Sequence, residues 1–337
     1  MTYRTPHRSG ALVVTPSEDP SRFDALAVDC PFVFSTDGRR GMTLVGWDGV
    51  GYQTGLSWER PDGRWSVPEL VFPRDPAVPH RRYNTAITSV LRENDLRSDG
   101  RLLRVDGHHL ATFHAYPAAG YESGPGVIGF ARSTDLRSWE EVGTLVRPEE
   151  GGEWERGGLY KSWLMQHDGR YWLFYNAKTA ERRWREQTGA LVSDDLRHWE
   201  RVSDQPLLAN GPEGAADERF ASDPCVLWDA EAGHWVMFYF GLAADGHARE
   251  LCATSPDLLR WTKTGEVLLD VGPPGSVDET HAHKPAVIAR DGRLEHYYCA
   301  VSPRQEPLQL GDLRQPERRG IAVARETTGE RVGAGPR

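Results

Sequence analysis

Apolar and polar positions along this chain change places in short runs of strand length, and no stretch keeps the 3.6-residue rhythm of an amphipathic helix. Runs rich in aromatic and β-branched residues ("MTLVGW", "LATFHAY", "WLFYNA", "WVMFYFG", "EHYYCAV") each follow a turn signal: "TDGRRG" at Asp37, "VDGHHL" at Asp106, "HDGRYW" at Asp168, "EAGHWV" at Ala232 and "RDGRLE" at Asp291. An apolar stretch also precedes each turn, so every turn predicts a β-hairpin. The preceding stretches align without gaps as "DCPFVF" from Asp29, "NTAITS" from Asn84, "KSWLMQ" from Lys161, "DPCVLW" from Asp223 and "KPAVIA" from Lys284. The pattern is all-β, with five repeated units.

A second repeat runs through the same units. "STDLRSWE" from Ser133, "SDDLRHWE" from Ser193 and "SPDLLRW" from Ser255 place Trp139, Trp199 and Trp261 at intervals of 60 and 62 residues. Periods of this length belong to solenoids, propellers and arrays. The element is predicted to join the third and fourth strands of a unit, with aspartate capping the turn and leucine and tryptophan packing between units. Closing strands recur as "LVFPR" from Leu70, "LVRPE" from Leu145, "LLANG" from Leu207 and "VLLDV" from Val267. One more, "LVVTP" from Leu12, precedes any unit, while the last unit ends on its third strand, "GIAVAR" from Gly320. The predicted fold is a five-bladed β-propeller with four strands per blade, its ring closed by the N-terminal strand. It would form one domain over residues 11–326, with flexible tails at 1–10 and 327–337.

Charge and composition narrow the partners. A net charge of -9 argues against nucleic acid and anionic membrane. No run approaches the roughly 18 apolar residues of a membrane span, and "MTYRTPHRSG" lacks a signal-peptide core, so a cytoplasmic location is expected. Cys30, Cys225, Cys252 and Cys299 have no CxxC spacing, which points to free thiols rather than disulfides or zinc; no metal or cofactor is expected. The oligomeric state is left open. Of 40 basic residues only Lys161, Lys178, Lys263 and Lys284 are lysine, which makes the position of each informative.

In a propeller the innermost strands line a central channel, and the aligned first positions read Asp29, Asn84, Lys161, Asp223 and Lys284 around it. Loops at the same mouth carry Glu155, Glu218, Glu279, His281 and His283, with Asp278 beside them. An ammonium close to a carboxylate lowers its pKa, so both aspartates are expected to be ionised. That suits a base or nucleophile and leaves the proton donor to the mouth, where Glu279 comes first and Glu218 and Glu155 stand nearly equivalent. The two histidines are expected to hydrogen-bond substrate. Alternatively, the ring is a buried ion-pair network that seals the channel.

Five repeats, inner strands "VDCPFVF" and "SDPCVLW" and the "SxDLxxW" turns resemble the five-bladed propeller glycosidases: the arabinanases, β-xylosidases, invertases and levansucrases of glycoside hydrolase families 43, 32 and 68 and their relatives. The resemblance spans roughly residues 11 to 326. It implies a hydrolase acting on a small carbohydrate or glycoside, with Asp29 as base or nucleophile and Asp223 as a second catalytic aspartate. Lys161 and Lys284 depart from the family pattern, and no "EGP" motif marks the acid. The lysines extend the expectation to an anionic glycoside. Two further readings stand beside it: a phosphorylase or repurposed enzyme holding phosphate or carboxylate with Lys161, Lys284 and His283, and a propeller that binds a ligand without catalysis.

Overall fold

Paired positive φ angles make the predicted hairpins. Asp37 (φ 50°) and Gly38 (φ 70°) turn the chain between the strands Ala27–Thr36 and Arg39–Trp47. Asp106–Gly107, Asp168–Gly169 and Asp291–Gly292 repeat the geometry. Aspartate tolerates the left-handed region and glycine has no Cβ to clash there, so the dipeptide specifies the turn. The computed structural model describes residues 3–327. Among them every regular element longer than one 3-10 turn is a β-strand, and no helix is long and apolar enough to cross a membrane.

The strands follow one another as antiparallel meanders. One sheet holds Ala27–Thr36, Arg39–Trp47, Tyr52–Trp58 and Glu69–Phe72, and another holds Ala86–Val90, His109–Ala115, Val127–Ser133 and Glu140–Val146. Three further meanders, opening with Gly158–His167, Phe220–Asp229 and His281–Arg290, share a twelve-stranded sheet. Single parallel bridges join them, Glu186 to Phe220 and Ala248 to His281. All four bridging residues line the same cavity, so the joints themselves deliver side chains to the site.

The last meander continues through Arg293–Leu310 and Leu313–Arg325, and the N-terminal segment covers its outer edge. His7 and Arg8 pair with Arg325 and Ala324, and Val14 bridges Ile321. The flexible tail expected at 1–10 is therefore corrected over its described part. Tyr3 is buried edge-on against Phe238 and donates its hydroxyl to Asp229 at 2.9 Å, and Thr5 is buried as well. An aromatic ring with a satisfied hydroxyl ties a terminus down. The other predicted tail lies outside the described residues from 328 onward.

The "DLxxW" turns have the predicted role, with the serine adding a part of its own. Ser133 Oγ accepts the N–H groups of Asp135 and Leu136, and Asp135 Oδ1 accepts those of Arg137 and Ser138. Leu136 is thereby held at φ 65°, and Leu196 and Leu258 match it at 63° and 66°. Trp139 and Trp261 donate their indole N–H to the carbonyls of Leu136 and Leu258.

Away from the cavity, apolar side chains of the inner strands fill the centre: Phe32, Phe34, Ile87, Trp163, Val226 and Val287 belong to one buried cluster. Arg92 is buried among them, its guanidinium 5.1 Å from the Phe32 ring and 4.9 Å from the Trp163 ring. It donates to the carbonyls of Val33 and Val287, tying the first inner strand to the last. Burial pushes its pKa down to about 10.

Candidate active site

Each inner strand slips its register once. The slips fall between Asp29 and Phe32, Ile87 and Ser89, Tyr160 and Ser162, Ser222 and Cys225, and His283 and Ala286. Four of the displaced residues have positive φ: Cys30 (46°), Lys161 (31°), Asp223 (60°) and Lys284 (63°). A β-bulge re-aims a side chain, and non-glycine residues stay in this region only where the surroundings hold them there. The equivalent residues are thus Cys30, Thr88, Lys161, Asp223 and Lys284.

This corrects the gapless alignment. Pro31, Pro224 and Pro285 mark the common register, one residue after the bulge, and a shared X-Pro step in the sequence was the signal available. Asp29 precedes its bulge residue by one. Asn84 stands four residues before Thr88 and is buried, accepting the Tyr52 N–H at 2.7 Å and donating to the Ala118 carbonyl at 3.2 Å. Its work is to hold the first two sheets together.

Cys30, Lys161, Asp223 and Lys284 line a cavity of about 360 Å³ together with His281, His283, Tyr121, Glu122, Trp184, Glu186, Arg219 and Arg319. Asp29 sits just behind this wall. Its Oδ2 receives Lys284 Nζ at 2.9 Å, Arg319 Nη1 at 3.2 Å and the Tyr121 hydroxyl at 3.2 Å, and its Oδ1 accepts the Cys30 N–H at 2.8 Å. Burial alone would push this carboxyl up, but the Lys284 and Arg319 charges hold it well below the usual carboxylate range. Burial likewise opposes the Lys284 ammonium, and Asp29 more than restores it. The expectation that Asp29 is ionised stands on this geometry.

Asp223 differs, and here the expectation is corrected. Its Oδ1 meets Asn176 Nδ2 and, at 3.3 Å, Ser222 Oγ, while its Oδ2 is buried without a partner. Burial pushes its carboxyl above the ordinary value although Lys284 and Lys161 act against it. Neither ammonium bonds it, so charge at a distance does not offset the loss of water.

Two glutamates absent from the predicted site, Glu186 and Glu122, line the cavity. Glu186 begins the strand Glu186–Ser193 at the bridge to Phe220, accepts Trp184 Nε1–H at 2.9 Å on Oε1 and accepts Ser222 Oγ–H at 2.8 Å on Oε2. Burial, and then the nearby Glu122 charge, push its carboxyl up to about 7. Glu122 lies in the loop between His109–Ala115 and Val127–Ser133, at φ 54°. The strand repeat could not reveal either, since one opens a third strand and the other occupies a loop without a counterpart.

His281 and His283 both reach the cavity. His281 Nδ1 accepts the Ala248 N–H at 3.1 Å, and His283 Nδ1 donates to the Cys299 carbonyl at 3.0 Å. Burial first, then the neighbouring cations, pushes His281 down to about 4 and His283 well below its ordinary value. Both rings are neutral and leave Nε2 for a ligand. Among the described residues Lys161 Nζ has no hydrogen-bond or ion-pair partner, and the Arg219 guanidinium contacts only the Phe220 ring, at 5.3 Å.

The predicted mouth glutamates do not line this cavity. Glu279 caps its own turn by accepting the Gly275 N–H, and Glu218 does the same for Gly214 at 2.9 Å. In "GPPGSVDE" and "GPEGAADE" the glutamate follows the glycine by four residues, close enough to fold back on it. Glu155 is fully buried, where it accepts the Tyr175 hydroxyl and Arg201 Nη2, each at 2.7 Å. Asp278 likewise accepts the Tyr298 hydroxyl at 2.8 Å.

The chain is similar to known proteins in sequence and in fold. The description "Glycosyl hydrolases family 32 N-terminal domain" matches residues 99–279. A levanase of Bacillus subtilis (strain 168) is 29% identical over 190 residues, covering 54% of this chain and 26% of the levanase. The match thus spans about a quarter of that relative's length. A solved glycoside hydrolase superposes with a TM-score of 0.78 at 24% identity, covering 99% of this chain and 95% of the other. A glycosyl hydrolase from Bacteroides ovatus gives a TM-score of 0.65 at 14% identity, over 96% and 93% of the two proteins. A structure from the GH130 family of mannoside phosphorylases reaches a TM-score of 0.62 at 14% identity, over 94% and 92%. At these identities the solved structures share the fold.

Proposed function

This chain belongs to glycosyl hydrolase family 32, through the N-terminal domain of that family, and from that premise we propose that it cleaves a small glycoside in the cavity between Glu186 and Glu122. The observation that carries the proposal is that Glu186 and Glu122 line one cavity, where burial and the Glu122 charge push the Glu186 carboxyl up to about 7. A carboxylic acid that keeps its proton near neutrality, beside a second carboxylate, is the arrangement that glycoside cleavage requires.

Glu186 donates its proton to the glycosidic oxygen as the bond from that oxygen to the anomeric carbon breaks. Glu122 either attacks the anomeric carbon or takes a proton from the water that does. The separation of the two carboxyl groups under load would set retention or inversion. Asp29 is the ionised aspartate of the family resemblance, yet its Oδ2 already holds three donors. We assign it to the electrostatics of the wall, where it fixes Lys284 and Arg319, and give its expected role to Glu122. The meanders are read as the five blades of a propeller, with the N-terminal segment completing the last blade; the pairing of His7, Arg8 and Val14 with Leu313–Arg325 supports this.

Lys161 and Arg219 face the cavity without an anionic partner, which supports a substrate carrying a carboxylate, or phosphate as acceptor of the glycosyl group. The likeness to the levanase makes fructosides the first neutral substrates to try. The test is a pH–rate profile on a panel of neutral and uronate aryl glycosides and fructosides, with and without phosphate. A bell whose upper limb falls near pH 7 is expected. Turnover without such a limb, or no turnover at all, would overturn the assignment of Glu186.

A further inference from the structure

Lys178 is one of only four lysines. It ends the strand Arg170–Lys178, directly opposite Glu186 in the neighbouring strand. The side chain is buried beneath three rings, with Nζ 5.2 Å from the centre of Tyr116, 5.4 Å from Trp184 and 5.9 Å from Tyr160. Its hydrogen bond goes to a backbone atom of another meander: Nζ donates to the Glu122 carbonyl at 3.0 Å. The Trp184 ring that covers it donates in turn to Glu186 Oε1.

We propose that Lys178 is a positioning residue that sets the two carboxyl groups against each other, Glu122 through its carbonyl and Glu186 through Trp184. The inference rests on the reading of Glu122 and Glu186 as the reacting pair. Glu122 has a left-handed backbone, which costs energy for a side chain with a Cβ and persists only where something external holds it. The ammonium supplies that hold. Aromatic faces stabilise a cation without giving it a competing acceptor, so the donor stays aimed at one carbonyl. The compact ammonium matches this place, whereas a planar guanidinium needs more width between the rings. The charged and titratable groups around Glu186 include Glu122, Lys178, Tyr116, Tyr160 and, beyond Ser222, Asp223, with Arg219 beside the bridge partner Phe220 in the same cavity. Lys178 is the cation directly opposite Glu186 in the sheet, so its removal favours the protonated form of Glu186.

The test uses the full chain carrying Lys178→Met or Lys178→Arg, with carboxyl-carbon NMR of labelled glutamate to titrate Glu186 and limited proteolysis to probe the loop at 117–125; neither readout needs a substrate. For Lys178→Met the Glu186 titration should move up by about one pH unit, and cleavage within 117–125 should accelerate. On any glycoside that the native protein turns over, kcat should fall about 10- to 100-fold with KM changed much less. Lys178→Arg should keep the Glu186 titration while losing part of kcat, a split that a merely structural residue would not give. If Lys178→Met does not fold, the arginine variant alone decides. An unmoved titration and loop in Lys178→Met, or an arginine variant with native kcat, would overturn the proposal. If native protein turns over no glycoside, the proposed function fails, while the titration and proteolysis still judge the positioning.

Discussion

Lys284 Nζ lies 2.9 Å from Asp29 Oδ2, an ion pair that joins the inner strand of the last meander to that of the first across 255 residues of sequence. Both groups are buried, and Arg319 adds a second cation at 3.2 Å. Removing Lys284 leaves Asp29 with Arg319 as its remaining cation, so Lys284→Met should destabilise the protein at pH 7 by less than the roughly 3–5 kcal/mol of a wholly unpaired buried charge. The sign with pH follows from Asp29. Its folded pKa is depressed, so the stabilisation is present above the unfolded value near ~3.9 and is lost as pH falls through the folded one. Urea denaturation should show native and variant proteins converging in acid. A gap as wide at pH 3 as at pH 7 would mean that the pair does not act as described.

Glu186 predicts the opposite dependence. Its folded pKa is raised to about 7, so its contribution is intact below about 4.5 and is lost as pH climbs through 7. At pH 8 the ionisation of this buried group costs about 3 kcal/mol. Glu186→Gln should therefore be more stable than the native protein at pH 8 and about equal to it at pH 5, as read from thermal melts. Equal melting at both values would remove the perturbed carboxyl from the account.

Deleting residues 1–16 should lower the melting temperature by many degrees or yield aggregates. The deletion removes the buried Tyr3, the Arg8–Asp278 ion pair at 2.8 Å and the pairing along Leu313–Arg325. It leaves a bare sheet edge. A truncated protein that melts like the full chain would refute the covering role of this segment.

Lys161→Met should weaken a uronate or phosphate ligand about tenfold more than a neutral sugar, because the ammonium faces the cavity without an anion of its own. Calorimetric titration with matched neutral and anionic sugars measures the ratio. An unchanged ratio would make the lysine structural and the substrate neutral.

The scaffold was legible because its signals are local and periodic. "DG" turns, "SxDLxxW" elements and apolar runs recur at the places where Asp37–Gly38, Leu136 and the inner strands are found. The repeated motif "LVVTP" assigned a closing strand to residues 11–16, but there only Val14 makes a single bridge and the paired strand is His7–Arg8; the tie through Tyr3 to Asp229 joins residues 226 apart and left no periodic trace. The lysines were noticed for their scarcity, and Lys161 and Lys284 do face the cavity. Glu186, the proposed acid, was missed for a physical reason. Glu279 and Glu218 have their carboxylates occupied by their own turns, and the side chains that perturb Glu186 (Glu122, Trp184 and Ser222) come from separate loops and strands that only the folded chain assembles.

The role of Glu186 as proton donor is tested most directly by a leaving-group series. Native protein and Glu186→Ala would be compared on aryl glycosides of the sugar it accepts, with phenols of graded acidity. An acid catalyst matters most where the departing oxygen is basic, so the variant should lose about 10²- to 10⁴-fold on poor leaving groups and approach native rates on a dinitrophenol. A loss of equal size across the whole series would contradict the account and leave Glu186 as a binding or structural residue.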